Sequence, residues 1–343
     1  MQQKIVNNPF FSIVIPCYNS KKTIARLLNS IAIQNMSDDI EVILADDHST
    51  EPYDMEIKPF YNKLCIKRIL TDYNCCPGNT REKGVSIATG KWLIFSDHDD
   101  VFLPDTFKTI KDTLIEYKEE NIAYCNILRA DNTTGKFDKD LVQHQISSFS
   151  ELLHGKIFNL ENFWKKYDIH FKKDLFTHED TYVINKIKCI MEVNKIKALH
   201  LNMANYVWFD NKKSLSNKNG VDKFLEDHLD CYVQATSDVY REYYNKKLID
   251  DNFAVYNLIK VFLQEYFFMQ KFLFLNPTEY KKENLGLCKK DLQYIKRAFN
   301  LTNNDIFWYC AQNNCEIYLN LAKGFMYIPM YSVSEWMTAL DKD

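Results

Sequence analysis

The sequence lacks several features that would define a protein class at once. It has no run of about 20 uncharged apolar residues, because its most apolar window, residues 253–275, contains Lys260, Glu265 and Lys271, which argues against a transmembrane helix. No basic segment followed by an apolar core opens the chain, so no secretory signal is expected. The ten cysteines include no C-x-x-C pair, which argues against structural zinc and favours free thiols in the cytoplasm.

Glycine is also scarce, with 8 residues in 343, and none lies in the turn at residues 16–20 that follows the first predicted strand. Dinucleotide-dependent oxidoreductases need a Gly-rich turn there, so that class is disfavoured, and nucleotidyltransferases are disfavoured less strongly. The net charge of -3 and the pI near 6.3 make a nucleic-acid partner unlikely. Peripheral contact with the inner face of a membrane and homo-oligomer formation stay open.

Apolar segments and helical patterns alternate along the first half of the chain. Strands are predicted at residues 10–15, 40–45, 65–70, 91–95 and 122–128. Helices are predicted from Ser20, at residues 79–88 and from Asp105. The inward face of the first is formed by Ile24, Leu27, Leu28 and Ile31, and that of the last by Phe107, Ile110, Leu114 and Tyr117. This alternation predicts an α/β fold with a mostly parallel sheet flanked by helices. Residues 216–343 show no strand pattern and predict a helical C-terminal domain.

Polar clusters follow three of the predicted strands. They are residues 16–19, the pair Asp46 and Asp47, and the DHDD string at residues 97–100. Ligands of such sheets bind beyond the carboxyl ends of the strands, so these clusters are expected to share one rim. Crowded carboxylates repel one another unless a cation lies among them, and Mg²⁺ or Mn²⁺ prefers oxygen ligands. A solvated turn is the alternative interpretation of the DHDD string alone.

Taken in order, these segments resemble the inverting glycosyltransferase family 2, whose catalytic domain has the GT-A fold. The matching blocks are SIVIPCYN at residues 12–19, EVILADDHST at 41–50, NTREKG with the strand after it at 79–95, DHD at 97–99 and HED at 178–180. The resemblance covers residues 9–215, the predicted catalytic domain. Two positions depart from the family pattern, since Glu82 follows Arg81 and His98 fills the middle of the D-x-D. The DDHS string and helical tail resemble members that glycosylate wall teichoic acid.

The resemblance implies a nucleotide-sugar donor, with a UDP-sugar as the expected one, and a Mn²⁺ or Mg²⁺ cofactor. It makes Asp99 the metal ligand and brings Asp97 to the ribose or to a metal-bound water. Asp47 would accept the uracil N–H, between Tyr18 and the backbone around Pro16. The guanidinium of Arg81 suits the base or the phosphates of the donor, and a surface salt bridge is its alternative role.

An inverting transfer needs a general base for the acceptor hydroxyl, and the resemblance assigns Asp180 to that task. The neighbouring Glu179 is assigned to helix capping, because acids favour the first turn of a helix. The acceptor is expected to be a glycan, a lipid-linked sugar or a polyol phosphate in cell-surface polymer synthesis. A catalytically inactive nucleotide-sugar-binding or glycan-binding module on the same fold is the competing hypothesis. The C-terminal helices are expected to recognise the acceptor or to form an oligomer.

Overall fold

A computed structural model describes residues 4–131, 142–146, 149, 152–173, 175, 178–210 and 234–250, with a few isolated positions beyond 250. The chain divides into two compact units, Met1–Lys213 and Ser214–Asp343. The first unit contains an extended β-sheet with helices between its strands. Most of the predicted C-terminal domain at 216–343 lies outside the described residues.

Strands and helices alternate along the first unit. The strands are β1 (Phe11–Cys17), β2 (Ile40–Asp46), β3 (Cys65–Leu70), β4 (Trp92–Phe95), β5 (Val101–Phe102), β6 (Ile122–Asp131), β7 (Val142–Ile146), β8 (Lys156–Asn159) and β9 (Leu199–Asp210). The helices are α1 (Ile24–Ala32), α2 (Asp54–Ile57), α3 (Pro77–Ser86), α4 (Thr106–Glu116) and α5 (Glu179–Asn194). Short 3-10 turns occupy Ser20–Lys22 and Lys58–Phe60, and a π-helical segment spans Leu160–Lys165.

The strands form one sheet in the order β3-β2-β1-β4-β8-β6-β9-β5, and β7 pairs with β6 outside this path. The β3-β2-β1-β4 half is parallel throughout, which confirms the predicted α/β architecture. The other half is mixed, since β6 and β9 are parallel while β8, β7 and β5 pair in antiparallel fashion. The apolar pattern did not predict β5, β7, β8 or β9, because β5 has only two residues and the sequence of β7, VQHQI, is mainly polar.

Helix α3 lies unusually close to the parallel half of the sheet. A Cβ added at Gly84 would approach Cγ1 of Val14 in β1 to 2.5 Å, so only glycine permits this helix-to-sheet distance. One turn earlier on the same helix, the side chain of Arg81 is buried. The close packing of α3 therefore places a buried cation beside the carboxyl ends of the strands.

The predicted inward face of α1 is confirmed, since Ile24, Leu27, Leu28 and Ile31 are all buried. The corresponding prediction for α4 is wrong at its last position. Tyr117 is 47% exposed, because α4 ends at Glu116 and the backbone of Tyr117 turns away from helical geometry at φ -95°, ψ 65°. Its ring therefore does not join the inward face formed by the preceding residues.

Pro16 was expected to stop the first strand, yet β1 continues through it to Cys17. The amide of Ser96 donates to the carbonyl of Val14 at 3.1 Å, so Val14 and Pro16, two residues apart, both turn their backbone toward β4. The pairing of β1 with β4 ends at Val14. A missing N–H at Pro16 therefore costs no ladder bond, which is the situation in which a strand tolerates proline.

In the second unit, helix α6 (Gln234–Asn245) buries Ala235, Val239 and Tyr240. The ring of Tyr240 lies 6.2 Å from that of Phe253 at an angle of 60°. Among the described residues, no helix combines the length and the apolar character that crossing a membrane requires.

Candidate active site

The parallel half of the sheet places three polar segments along one edge. Because β2, β1 and β4 are adjacent and parallel, Asp47 after β2, Tyr18 after β1 and Asp97 after β4 leave the sheet in the same direction. Ligands of such sheets bind in the crevice where the chain order reverses, which here is between β1 and β4. The structure thus brings the predicted donor-binding segments to one edge.

Asp47 is buried and surrounded by hydrogen-bond donors from the loop after β3. Its Oδ1 accepts from the backbone N–H of Cys75 at 2.8 Å, from Sγ of Cys75 at 3.1 Å and from Oγ1 of Thr71 at 3.2 Å. Within the described part of the chain, its Oδ2 accepts only a longer bond of 3.3 Å from Nδ2 of Asn74. One carboxylate oxygen is thus saturated, and the other keeps capacity to accept a further N–H.

The turns after β1 and β2 are bound to each other through Asn19. Its backbone is left-handed, with φ 51°, and its Oδ1 accepts from the amides of Thr50 at 2.9 Å and Glu51 at 3.0 Å. The amide of Asn19 in turn donates to Oγ of Ser49 at 3.0 Å. Tyr18, which precedes this anchor, is 46% exposed. The geometry therefore presents an aromatic ring on a fixed turn, where it is accessible to a ligand.

A buried cluster follows β4. Oδ2 of Asp97 lies 3.2 Å from Nε2 of His154, and the His154 ring stacks on that of Tyr206 with centroids 5.2 Å apart. The Tyr206 hydroxyl donates to Oδ2 of Asp100 at 2.6 Å and accepts from the amide of Asp97 at 3.0 Å. Oδ1 of Asp100 accepts from the amide of Phe209 at 2.9 Å. The cluster therefore joins the D-x-D loop to β9 and to the segment before β8.

Arg81 lies behind this cluster and bridges two acids. Its Nη2 donates to Oδ1 of Asp97 at 2.7 Å, and its Nη1 donates to Oε1 of Glu179 at 2.5 Å. Arg81 is 4% exposed, so the surface salt bridge considered as its alternative role does not describe it. In this arrangement its two terminal nitrogens face protein carboxylates, and a direct contact with the donor stays a prediction.

The charges of this network shift several pKa values. Although burial opposes it, the pKa of Asp97 is held far below its usual range by His154 and Arg81. Burial raises the pKa of Glu179 from 4.5 to about 7, because Arg81 only partly offsets it and Asp180 adds a like charge. Burial and the charges of Asp99 and Asp97 raise the pKa of Asp100. Asp97 is therefore the ionised partner of Arg81, while Glu179 holds its proton more tightly.

Glu179 and Asp180 are the first two residues of α5, after His178 in a left-handed conformation with φ 60°. The carboxylate of Glu179 is the partner of Arg81, and Oδ1 of Asp180 accepts from the amide of Thr181 at 2.7 Å. The residue that sequence analysis assigned to capping thus forms a buried ion pair. The pair Arg81–Glu179 ties the start of α5, and with it Asp180, to the loop after β4.

The middle of the D-x-D loop is held against α1. Nδ1 of His98 lies 2.8 Å from Oγ1 of Thr23, and the guanidinium of Arg26 donates to the carbonyl of Asp99. Arg26 also stacks over the ring of Phe209 at 4.3 Å. Asp99, the predicted metal ligand, is thus fixed through its backbone on the half-buried part of the loop.

Three side chains near β4 form a candidate site for a divalent cation. One ligand atom each from Asp97, Asp100 and His154 lies within 4.8 Å of the others. Both ring nitrogens of the buried His154 are without a hydrogen-bond partner in the described structure, so its 3.2 Å approach to Asp97 does not have hydrogen-bond geometry. Two carboxylates and an imidazole form a set that suits Mn²⁺ better than Mg²⁺. His154 and Asp100 were not predicted as ligands, and no sequence spacing links His154 to the D-x-D.

The first half of the chain matches a known protein family. Residues 12–179 match the model of the family described as Glycosyl transferase family 2. The chain is 27% identical over 199 residues to poly(ribitol-phosphate) beta-N-acetylglucosaminyltransferase TarS of Staphylococcus aureus, a match that covers 55% of this chain. It covers 34% of TarS, so the chain matches about a third of the length of that relative.

Solved structures show the same fold. A crystal structure of S. aureus TarS 1-349 in complex with UDP-GlcNAc has a TM-score of 0.64 at 20% identity, covering 87% of this chain and 83% of that chain. The mannosyltransferase PcManGT from Pyrobaculum calidifontis, in complex with GDP-Man and Mn²⁺, has a TM-score of 0.51 at 13% identity, covering 97% and 84%. The predicted GT-A fold is confirmed. The match to the family model identifies residues 12–179 as a glycosyltransferase family 2 domain.

Proposed function

We propose that this protein transfers a sugar from a nucleotide sugar, with UDP as the nucleotide, to an acceptor hydroxyl in a metal-dependent, inverting reaction. The observation that carries the proposal is the chain of ion pairs from Asp97 through Arg81 to Glu179. It brings the donor-binding loop after β4 and the acid pair at the start of α5 into one site. A general base must stand close to the donor for such a reaction, and we assign that role to Asp180, the residue after Glu179.

Recognition of the base rests on Asp47. Because its Oδ1 is saturated by donors from Thr71 and Cys75, the oxygen left to accept an N–H is Oδ2. Uracil offers an N–H at N3, whereas cytosine has a lone pair there. The exposed ring of Tyr18 supplies a face on which the base stacks. Pro16, which belongs to β1 and precedes Tyr18 by two residues, completes this side of the pocket by its backbone.

For the diphosphate, Asp97, Asp100 and His154 would hold a divalent cation, together with Asp99 as the ligand that the family resemblance predicts. Such an ion would neutralise the charge that develops on the departing diphosphate. Arg81 keeps Asp97 ionised and in place from behind. Asp97 is thereby oriented to bind a cation or the ribose.

In the transfer step, the acceptor oxygen forms a bond to the anomeric carbon while the bond from that carbon to the diphosphate breaks. Asp180 takes the proton of the acceptor hydroxyl. Glu179 positions Asp180 by anchoring the first turn of α5 to Arg81. The configuration of the sugar inverts because attack comes from the face opposite the leaving group.

We assign the acceptor to the polyol-phosphate class, since the name of TarS specifies poly(ribitol-phosphate). A glycan or a lipid-linked sugar is the alternative acceptor, and the reaction is placed in the cytoplasm, at or near the inner face of the membrane. The second unit, Ser214–Asp343, is proposed to recognise the acceptor or to form an oligomer. A chain ending at residue 215 that transferred sugar to polymer as fast as the whole protein would contradict that role.

The test is calorimetric titration of UDP and UDP-GlcNAc in Mn²⁺ and in EDTA, followed by a transfer assay on poly(ribitol phosphate). We expect UDP to bind more tightly in Mn²⁺, and equal affinity in EDTA would contradict the role of the metal. Asp99→Asn and His154→Gln form a matched pair that identifies the ligand set. Loss of the Mn²⁺ effect in Asp99→Asn alone would support the D-x-D ligand, and loss in His154→Gln would support the buried cluster.

A further inference from the structure

The imidazole of His98 is fixed at one nitrogen and open at the other. Its Nδ1 lies 2.8 Å from the hydroxyl of Thr23, the residue directly before α1. The loop that carries it is held from the same helix, where Arg26 donates to the carbonyl of Asp99. Among the described residues, Nε2 of His98 has no hydrogen-bond partner, and the side chain is half-buried.

The two contacts of the Thr23 hydroxyl are the basis for assigning the proton of the His98 ring. A hydroxyl has a single proton to donate, and the Thr23 hydroxyl donates it to the carbonyl of Ser20 at 3.2 Å. In this arrangement the hydroxyl accepts from His98 across the 2.8 Å contact, and we assign the hydrogen of the ring to Nδ1 on that basis. The other ring nitrogen, Nε2, is left with a lone pair and acts as an acceptor.

The His98 ring lies at the crevice in which a ligand is expected to bind. The contact between Thr23 and His98 links the connection after β1 to the loop after β4, the two strands between which the chain order reverses. That crevice is where ligands of parallel sheets bind. Tyr18 precedes Thr23 in the same connection, and Asp97 immediately precedes His98.

We propose that Nε2 of His98 accepts a hydrogen bond from a hydroxyl group of the nucleotide sugar, on the ribose or on the transferred sugar. The inference rests on the proposed function and adds a residue that recognises the donor. Phosphate oxygens carry no proton and cannot satisfy a lone pair, whereas ribose and sugar hydroxyls can. The group of potential metal ligands in the described residues contains Asp97, Asp100 and His154 but not His98. A hydroxyl is therefore the partner that fits.

Two substitutions test the two nitrogens of the His98 ring separately. His98→Asn keeps a polar atom near the position of Nδ1 for Thr23 and removes the atom at Nε2. His98→Gln reaches the position of Nε2 with an amide oxygen and gives up the contact with Thr23. His170→Gln is the matched control, since that exposed histidine contacts Glu82 and Asp168 instead. Thermal unfolding of each variant shows whether it is folded.

The experiment is calorimetric titration in Mn²⁺ with UDP, 2′-deoxy-UDP, 3′-deoxy-UDP and UDP-GlcNAc. We expect His98→Asn to lose roughly three- to tenfold in affinity for the probe that carries the recognised hydroxyl. Its affinity for the probe without that hydroxyl should equal that of the wild type. His98→Gln should retain part of the affinity, and His170→Gln all of it.

The outcomes distinguish the source of the hydroxyl and the two proposals. If one of the deoxy-UDP probes binds the wild type more weakly than UDP does, but binds His98→Asn as tightly as UDP does, the missing ribose hydroxyl is the partner of His98. If His98→Asn loses only the additional affinity that UDP-GlcNAc has over UDP, the hydroxyl belongs to the transferred sugar. Wild-type affinity of His98→Asn for all four probes would overturn the role of His98 alone. A wild-type protein that bound none of them would overturn the proposed function and this inference with it.

Discussion

Two carboxylates on either side of β1 are held in different ways. Asp47, after β2, is surrounded by uncharged donors from one short loop, namely Thr71, Asn74 and Cys75. Asp97, after β4, is held by charged or chargeable groups from distant parts of the chain, namely Arg81 and His154. Both aspartates belong to the proposed donor site.

The difference follows from what each group must do. A cage of neutral donors around Asp47 fixes one oxygen and leaves the other available. The site can therefore distinguish a hydrogen-bond donor on the base from an acceptor, at little electrostatic cost. A buried ionic cluster around Asp97 is costly unless every charge is compensated. In return it ties β4, α3 and α5 together, so that losing one member affects both binding and stability.

The largest effect on turnover is expected at Asp180, the proposed general base, which is not a member of the ion pairs that Arg81 forms. Asp180→Asn keeps the size of the side chain but removes its proton-accepting ability, so kcat should fall by about 10² to 10⁴-fold. The affinity for UDP should stay near that of the wild type, as measured by calorimetry beside the transfer assay. A Glu179→Gln variant that was inactive while Asp180→Asn remained active would exchange the two roles.

Breaking the ionic cluster at its centre should cost stability as well as function. Arg81→Met leaves Asp97 and Glu179 without their shared cation, and removing one partner of a buried pair typically costs about 3–5 kcal/mol. Chemical denaturation measures the change in the free energy of unfolding. The control is Lys165→Met, which removes an exposed pair with Glu161 and should have little effect. Equal stability of the two variants would show that the cluster does not hold the site together.

The free energy of unfolding measured as a function of pH tests the ionic cluster further. The pKa of Glu179 is raised from 4.5 to about 7 in the folded protein. Between these values the native state keeps a proton that the unfolded chain has lost, so the contribution of Glu179 to stability falls as pH rises from 4.5 to 7. Glu179→Gln, which is neutral throughout, should differ from the wild type by less than about 1 kcal/mol at pH 5. At pH 8 it should be the more stable protein, by roughly 3 kcal/mol at most.

Denaturation curves of both proteins at pH 5 and pH 8 check this sign. Other titrating groups, such as Asp100 and His154, are present in both proteins, so their contributions largely cancel in the difference. A wild type that gained stability over Glu179→Gln on going to pH 8 would mean that the pair with Arg81 outweighs burial.

The neutral cage and the ionic cluster also differ in how far sequence could predict them. Asp47 and Asp97 were identified because each ends an apolar strand, and such ends meet at one edge of a parallel sheet. The pairing of Arg81 with Glu179 joins residues 98 positions apart, and His154 precedes a four-residue strand with no predictive pattern. Contacts set by tertiary packing leave no local periodicity in the sequence, so the partners of the acids could not be predicted from it.

The cage around Asp47 makes the last prediction, a change in base preference. In Asp47→Asn, the donors of Cys75 and Thr71 still converge on the position of Oδ1, so they should fix the amide oxygen there. The amide NH₂ then replaces Oδ2 and faces the ligand, and Asn74 gives up only its longer contact because it also donates to the carbonyl of residue 47 at 2.9 Å. An NH₂ repels N3–H of uracil but donates to N3 of cytosine.

Calorimetry with UDP and CDP should show the wild type preferring UDP by about tenfold and the variant losing or reversing that preference. Cys75→Ala removes only one of the donors on Oδ1 and should keep the preference for UDP with a smaller loss of affinity. A variant Asp47→Asn that still selected UDP as strongly as the wild type would show that Asp47 does not read the base.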